Sequence, residues 1–146
     1  MKTEDLFHLG IKALIQNQEG KILLLKVNLK QLSGQAEAYW DIPGGRIQKG
    51  DTVEQTLRRE VEEETGIKSI QNPKQLAMVL SNIRIPIGSE DVGLVLAIFT
   101  CAIKPDASIE LSEEHTHMEW FSPKEAAEFL KIKYPPEFTS LVKNLR

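Results

Sequence analysis

Glu60, Glu63 and Glu64 fall three and four residues apart in the run GGRIQKGDTVEQTLRREVEEETGI, Gly44 to Ile67. On a helix that spacing puts the three carboxylates on one side, with Cβ atoms about 5–6 Å apart. Carboxylates this close repel, each pair costing on the order of 1–3 kcal/mol at an effective dielectric between surface and bulk values. The helix adds to the cost, because its C-terminal half carries the negative end of the macrodipole and favours cations. The simplest compensator is a hard divalent cation, which prefers oxygen ligands. A carboxylate set holding Mg²⁺ can bind a phosphate chain and offset charge as a P–O bond breaks. It can also lower the pKa of a bound water that attacks phosphorus.

The elements that must position these acids are legible too. Asp41-Ile42-Pro43-Gly44-Gly45 ends an apolar strand segment, Ala38 to Ile42, and the glycines predict a sharp turn, since glycine tolerates positive φ. Thr52 is the expected N-cap, and Gln55 three residues on completes a capping box. Gly66 is placed to stop the helix as its C′ residue. The helix is therefore expected over Val53 to Thr65. On a helical wheel Val53, Leu57 and Val61 form an apolar stripe, with Glu60 and Glu64 beside it and Glu63 just beyond. Glu54, Arg58 and Glu62 fall opposite. The three acids thus sit where the helix meets the rest of the domain.

The segment resembles the Nudix box, G-x5-E-x7-R-E-U-x-E-E-x-G-U with U a bulky aliphatic residue. Gly45 opens the pattern, Arg59-Glu60-Val61 fills its R-E-U step, Glu63-Glu64 supplies the paired acids and Gly66-Ile67 closes it. Asp51 departs from it by standing where the pattern has glutamate. The resemblance implies a Nudix-like α/β (α+β) fold, an α/β/α sandwich with a mixed central sheet. It also implies hydrolysis of a nucleoside diphosphate linked to another group X, within the pyrophosphate. Carried onto this chain, it gives the metal to Glu60, Glu63 and Glu64 with the backbone carbonyl of Gly44. Arg59 would orient one of those glutamates through a charge-assisted hydrogen bond. Mg²⁺ is the expected ion, with Mn²⁺ as a substitute. The general base is expected on the helix at Glu60 or in the loop before Met118 at Glu114, where the alternative is a merely solvated acid. Arg46 would contact a substrate phosphate unless it is simply a solvated loop arginine.

Size and composition bound the reading. The chain of 146 residues suits a single domain, 1–146, with 41% hydrophobic and 27% charged residues, as in ordinary globular proteins. Net charge is −3 and there is no basic run, which counts against a grip on long nucleic acid. The first residues lack the apolar core of a signal peptide, and no apolar run is long enough to span a bilayer. The one cysteine, Cys101, lies in the apolar run Gly93 to Ile103 and reads as a small buried hydrophobe. A reducing, cytoplasmic location is expected.

Leu9 to Ile15 and Lys21 to Val27 read as strands joined through Gly20, followed by a polar loop, Asn28 to Glu37. Gln75 to Ser81, Gly93 to Ile103 and Met118 to Phe121 read as further strands. Ser122-Pro123 opens one helix, and Pro135-Pro136 precedes a last one over Glu137 to Leu145. The loops Asn28 to Glu37 and Ile83 to Asp91 are expected to shape specificity. Lys26 and Lys30 read as phosphate contacts or plain surface, and Trp40 and Trp120 as base-stacking platforms or core. Among the histidines only His115, beside Glu114, is placed near the site; His8 and His117 are not. A small nucleotide is the expected partner, and a homodimer through an exposed sheet edge or a swapped strand is the expected assembly. Two other functions compete with it: removal of a 5′ pyrophosphate from RNA, and a catalytically silent nucleotide sensor. The sensor reading is weakened by the presence of all three helix acids.

Overall fold

The computed structural model describes residues 3–27, 39–107, 109–110 and 115–146. The elements in chain order are β1 (Phe7–Gln16), β2 (Ile22–Val27), β3 (Trp40–Asp41), β4 (Gly44–Arg46), α1 (Val53–Thr65), β5 (Gln71–Leu80), β6 (Ile85–Ile87), β7 (Glu90–Ala102), β8 (His115–Phe121), α2 (Pro123–Phe129) and α3 (Pro136–Lys143). β1 and β7 pair in parallel along their whole shared length, Phe7 opposite Gly93 through Gln16 opposite Ala102. β5 runs antiparallel on the far side of β7 and forms that edge of the sheet. β2 meets β1 only at the hairpin end, Gln16 opposite Ile22, then diverges to pair with β8 and β3. Where β2 diverges, β4 takes its place against β1.

Strand alternation fills both faces of this mixed sheet. Leu14, Ile22, Leu24, Leu96 and Ile98 point to one side and pack with Ala126, Leu130, Phe138 and Val142 from the α2–α3 layer. Ile11, Ala13, Ile15, Leu23 and Leu25 point to the other and pack on Leu57 and Val61 of α1. Period-two patterns that are apolar at every position mark strands covered on both faces. The α/β/α sandwich expected from the sequence is the observed α+β fold.

Helix ends follow the local chemistry. Thr52 caps α1 through Gln55 in a reciprocal capping box, and Gly66 closes it in the left-handed region at φ 77°. Ser122 and Glu125 form the same box at α2. Val53 departs from the expected stripe: it is the first residue of α1 and is 39% exposed.

Four further expectations are corrected. The glycine turn of the box is a short strand, β4, whose first residue takes φ 149°. The apolar segment expected over Ala38 to Ile42 narrows to Trp40–Asp41 within the described residues. Ile83 to Asp91 is not a loop; β6 and β7 form a hairpin across Gly88-Ser89, with Gly88 at φ 62°. That two-residue Gly-Ser connection is itself a hairpin signal. β5 starts at Gln71, four residues before the expected start, with register shifts before Lys74 and Ala77 interrupting its alternation.

Candidate active site

β4 is a thin septum between two hollows, and glycine makes it thin. A Cβ on Gly44 would lie 2.2 Å from the Ile11 carbonyl oxygen, and one on Gly45 would lie 2.5 Å from the Glu60 carboxyl group. On one side His8, Arg46, Ile47, Gln48 and Glu60 line a groove of about 520 Å³. On the other, Glu64, Lys12, Asp41, Tyr39 and Lys133 line a cavity of about 230 Å³. Gly44, Gly45 and Arg46 border both.

The three helix acids meet three environments. Glu64 is 5% exposed, and its Oε1 accepts the Gly44 N–H at 2.7 Å. Burial pushes its carboxyl up to about 8; the Lys12 charge and the Gly44 N–H oppose that rise, while Asp41 and Glu60 add to it. Glu60 is mostly covered and packs against Gly45, whereas Glu63 is largely exposed. Arg59 gives its hydrogen bond to Asp51 Oδ2 at 2.5 Å and stands 3.7 Å from Glu60 and 3.9 Å from Glu63. The hydrogen bond expected between Arg59 and a glutamate is therefore made to Asp51, the residue that departs from the box pattern. One methylene fewer does not prevent the contact across the loop. Among the described residues no three His, Cys, Asp or Glu side chains converge as a ready metal-ligand cluster. The donor chemistry nevertheless fits a hard dication: the donors are oxygens, and the most buried one, on Glu64, carries a charge that its surroundings disfavour.

The far cavity holds residues that sequence reasoning missed. Asp41 Oδ2 accepts from Lys12 Nζ at 3.1 Å and Lys133 Nζ at 2.6 Å. Its Oδ1 accepts the Tyr134 hydroxyl at 2.6 Å and the Ile42 N–H at 2.8 Å. Burial alone would raise this carboxyl, but Lys12, Lys133 and Tyr134 outweigh it and hold Asp41 well below the usual carboxylate range. The network ties β1, β3 and the link between α2 and α3 at one point. One signal was available: Lys12 is a charge inside the apolar run Leu9 to Ile15, on the face that Leu14 buries. Lys133, far along the chain in a turn, carries no such mark.

The remaining candidates are spread more widely. Glu114 and Lys30 lie outside the described residues, and so does the loop Asn28 to Glu37. The side chain of His115 lies outside them too, whereas His8, set aside on sequence, lines the groove beside Glu60. His117 pairs with Glu119 at 3.2 Å and meets Trp40 edge-on. Trp40 packs on Phe121 and Phe129 with Lys26 over its ring, and Trp120 packs against the α1-side core. Cys101 is buried in that core, where desolvation pushes its thiol up to about 12.

Comparison with known proteins places this geometry in context. The NUDIX domain family model matches residues 6–142. A nucleoside triphosphatase NudI of Escherichia fergusonii is 28% identical over 80% of this chain and 82% of its own length. A NudI of Salmonella agona is 30% identical over 78% of this chain and 81% of its own. Among solved structures, a MutT protein from Methanosarcina mazei Go1 superposes with a TM-score of 0.68 at 24% identity, covering 97% of this chain and 94% of that one.

Proposed function

This chain belongs to the Nudix family of hydrolases, and on that footing we propose that it is a Mg²⁺-dependent pyrophosphohydrolase of small nucleotides. Its substrate is a nucleoside diphosphate joined to a further group X, with the nucleoside triphosphate, X being phosphate, as the first case to test. Water adds its oxygen to one phosphorus of the anhydride and gives up a proton. The bridging P–O bond breaks, and two phosphate esters or ions leave. The observation that carries this reading is the pair of carboxylates on either side of the Gly44-Gly45 septum, Glu64 bound to the Gly44 N–H and Glu60 against Gly45.

Glu60, Glu63 and Glu64, with the Gly44 carbonyl, would hold one or more Mg²⁺ ions about β4. When bound, Mg²⁺ would supply charge to the phosphate oxygens and acidify a water. The protein's own part is orientation and charge. Arg59 anchors the box loop through Asp51 and lies beside Glu60 and Glu63, which limits where those carboxylates swing. Arg46, bordering both hollows, can bind a phosphate oxygen wherever the chain crosses the septum. Glu60 takes the water's proton in this reading, with Glu114 as the other base to test.

A phosphate-release screen across a nucleotide panel, with and without Mg²⁺, tests the proposal on wild type and Glu60→Gln. Metal-dependent release by wild type, lost in the variant while the melting temperature is kept, supports it. Metal-independent release, or equal rates for both proteins, would remove these acids from the chemistry. A single cysteine, Cys101, held as a free thiol, supports a reducing, cytoplasmic setting. The exposed Met78 and Leu80 on edge strand β5 support pairing of two copies, which sedimentation would test.

A further inference from the structure

Edge strand β5 is guarded along its first half and open along its second. A strand at a sheet edge carries unpaired N–H and C=O groups, and proline, lysine and bulges blunt such edges. Here Pro73, Lys74 and both register shifts fall between Gln71 and Ala77. Over residues 77–80 the register against β7 is unbroken, from Ala77 opposite Ile98 to Leu80 opposite Val95. That window holds no charge, proline or bulge, and among the described residues no strand pairs with the outer side of β5.

The phase of the main-chain bonds decides which groups face outward. The Ser81 N–H donates to the Leu94 carbonyl at 2.9 Å, one step beyond the Leu80–Val95 pair. In an antiparallel ladder hydrogen-bonded and non-hydrogen-bonded pairs alternate. Ser81 and Val79 therefore turn their N–H and C=O groups toward β7, while Met78 and Leu80 turn theirs away from it. The side chains of Met78 and Leu80 are exposed as well, at 59% and 55%. They share the α1-side face of Ala97 and Val95, whereas Val79 between them points into the α2–α3 core. A single exposed apolar residue calls for no explanation. Two of them on a stretch of open main chain mark a place where another strand fits.

We infer that residues 77–80 of β5 pair antiparallel with the same residues of a second copy, about a two-fold axis at Val79, placing Met78 opposite Leu80 of the partner subunit. The inference rests on the pairing of copies proposed above and gives it a register; the hydrolytic chemistry does not depend on it. The window is its own complement. Met78 and Leu80 stand one residue to either side of the axis, so each outward N–H meets an outward C=O and four main-chain bonds form. On the α1 side Met78 and Leu80 of both copies close into one apolar cluster. A strand of other sequence would have to match this spacing, and a second copy matches it by symmetry. At roughly 100–120 Å² for each of four residues, a copy buries on the order of 400–500 Å², near the small end of specific interfaces. The dimer is therefore reversible, with a Kd on the order of 10–100 µM.

Cross-linking reads the register directly. Residues in a hydrogen-bonded antiparallel pair have Cα atoms about 5.5 Å apart, inside the roughly 4.4–6.8 Å that a disulfide spans. Met78→Cys and Leu80→Cys are made as separate proteins in a Cys101→Ala background, then oxidised alone and mixed. The mixture should form covalent dimers at least about fivefold faster than either protein alone, whose like cysteines lie on a diagonal of about 7–8 Å. Sedimentation velocity from about 5 to 500 µM should carry wild type from monomer to dimer. Leu80→Lys should stay monomeric over that range, with melting temperature and turnover per chain unchanged, since an edge lysine blocks strand addition.

Wild type that remains monomeric throughout would overturn this inference and the pairing of copies together. A dimer that survives Leu80→Lys, or a mixture that cross-links no faster than its components, would leave pairing standing and overturn the register. Should Leu80→Lys fail to fold, the cross-linking comparison still decides. The phosphate-release screen judges the hydrolase separately from all of these.

Discussion

Glu64→Gln should make the metal-free protein more stable while ending its metal-dependent activity. The Glu64 carboxyl titrates near 4.5 when unfolded and is pushed up to about 8 in the fold, by burial first of all. A raised acid has a definite sign. Below pH 4.5 both states are protonated and Glu64 costs nothing. As pH rises toward 8 the unfolded chain ionises while the folded carboxyl holds its proton, and stability falls by about 1.36 kcal/mol per pH unit. The deficit is roughly 3 kcal/mol at pH 7 and roughly 4–5 kcal/mol from pH 8 upward. Glutamine removes the charge and keeps an oxygen to accept the Gly44 N–H, now at 2.7 Å from Glu64 Oε1. At about 2–4 °C per kcal/mol for a domain near this size, the variant should melt roughly 6–12 °C higher at pH 7 in EDTA, and more at pH 8. The gap should close toward pH 5. Mn²⁺ should raise the melting temperature of wild type and not of the variant, since the ion relieves the charge the substitution deletes. A variant that melts below wild type at pH 8, or a gap indifferent to pH, would refute the claim that Glu64 is held against its charge.

Other outcomes follow from the same geometry. Asp41→Asn should cost roughly 3–5 kcal/mol in urea denaturation at pH 7, because it removes the carboxylate that both buried ammoniums hydrogen-bond. Since the Asp41 carboxyl is held below its unfolded value, that contribution is complete above the usual carboxylate range and fades only in acid. The deficit should therefore shrink at pH 3. Gly45→Ala should fold and lose turnover, because its Cβ at 2.5 Å pushes the end of a flexible side chain, Glu60, out of place. Gly44→Ala, against the Ile11 carbonyl at 2.2 Å and with φ 149°, should instead be destabilised, which circular dichroism melts would separate from the first case. Asp51→Ala and Arg59→Ala should lower kcat alike, and the double variant should be no worse than either, as expected for two halves of one contact.

The sequence displayed the local part of this site clearly and its distant part hardly at all. Box spacing, the Thr52–Gln55 cap and Gly66 are relations within about fifteen residues, set by helix geometry that any chain obeys. They located α1 to the residue and put Glu60 and Glu64 against the domain. Burial of Glu64 behind Gly44 could not be read the same way, because it depends on β4 replacing β2 beside β1. Lys133 is the extreme case, 92 residues from the aspartate that holds it. What the chain does mark is the expense. A lysine inside an apolar strand, like three acids at the negative end of a helix, is unfavourable where it stands and persists only if something else compensates. In the acids the proposed compensator is a hard cation; at Lys12 it is Asp41. The two anomalies meet at one strand: Glu60 lines the groove on one side of β4, Glu64 shares the cavity on the other with Lys12, and Arg46 borders both hollows.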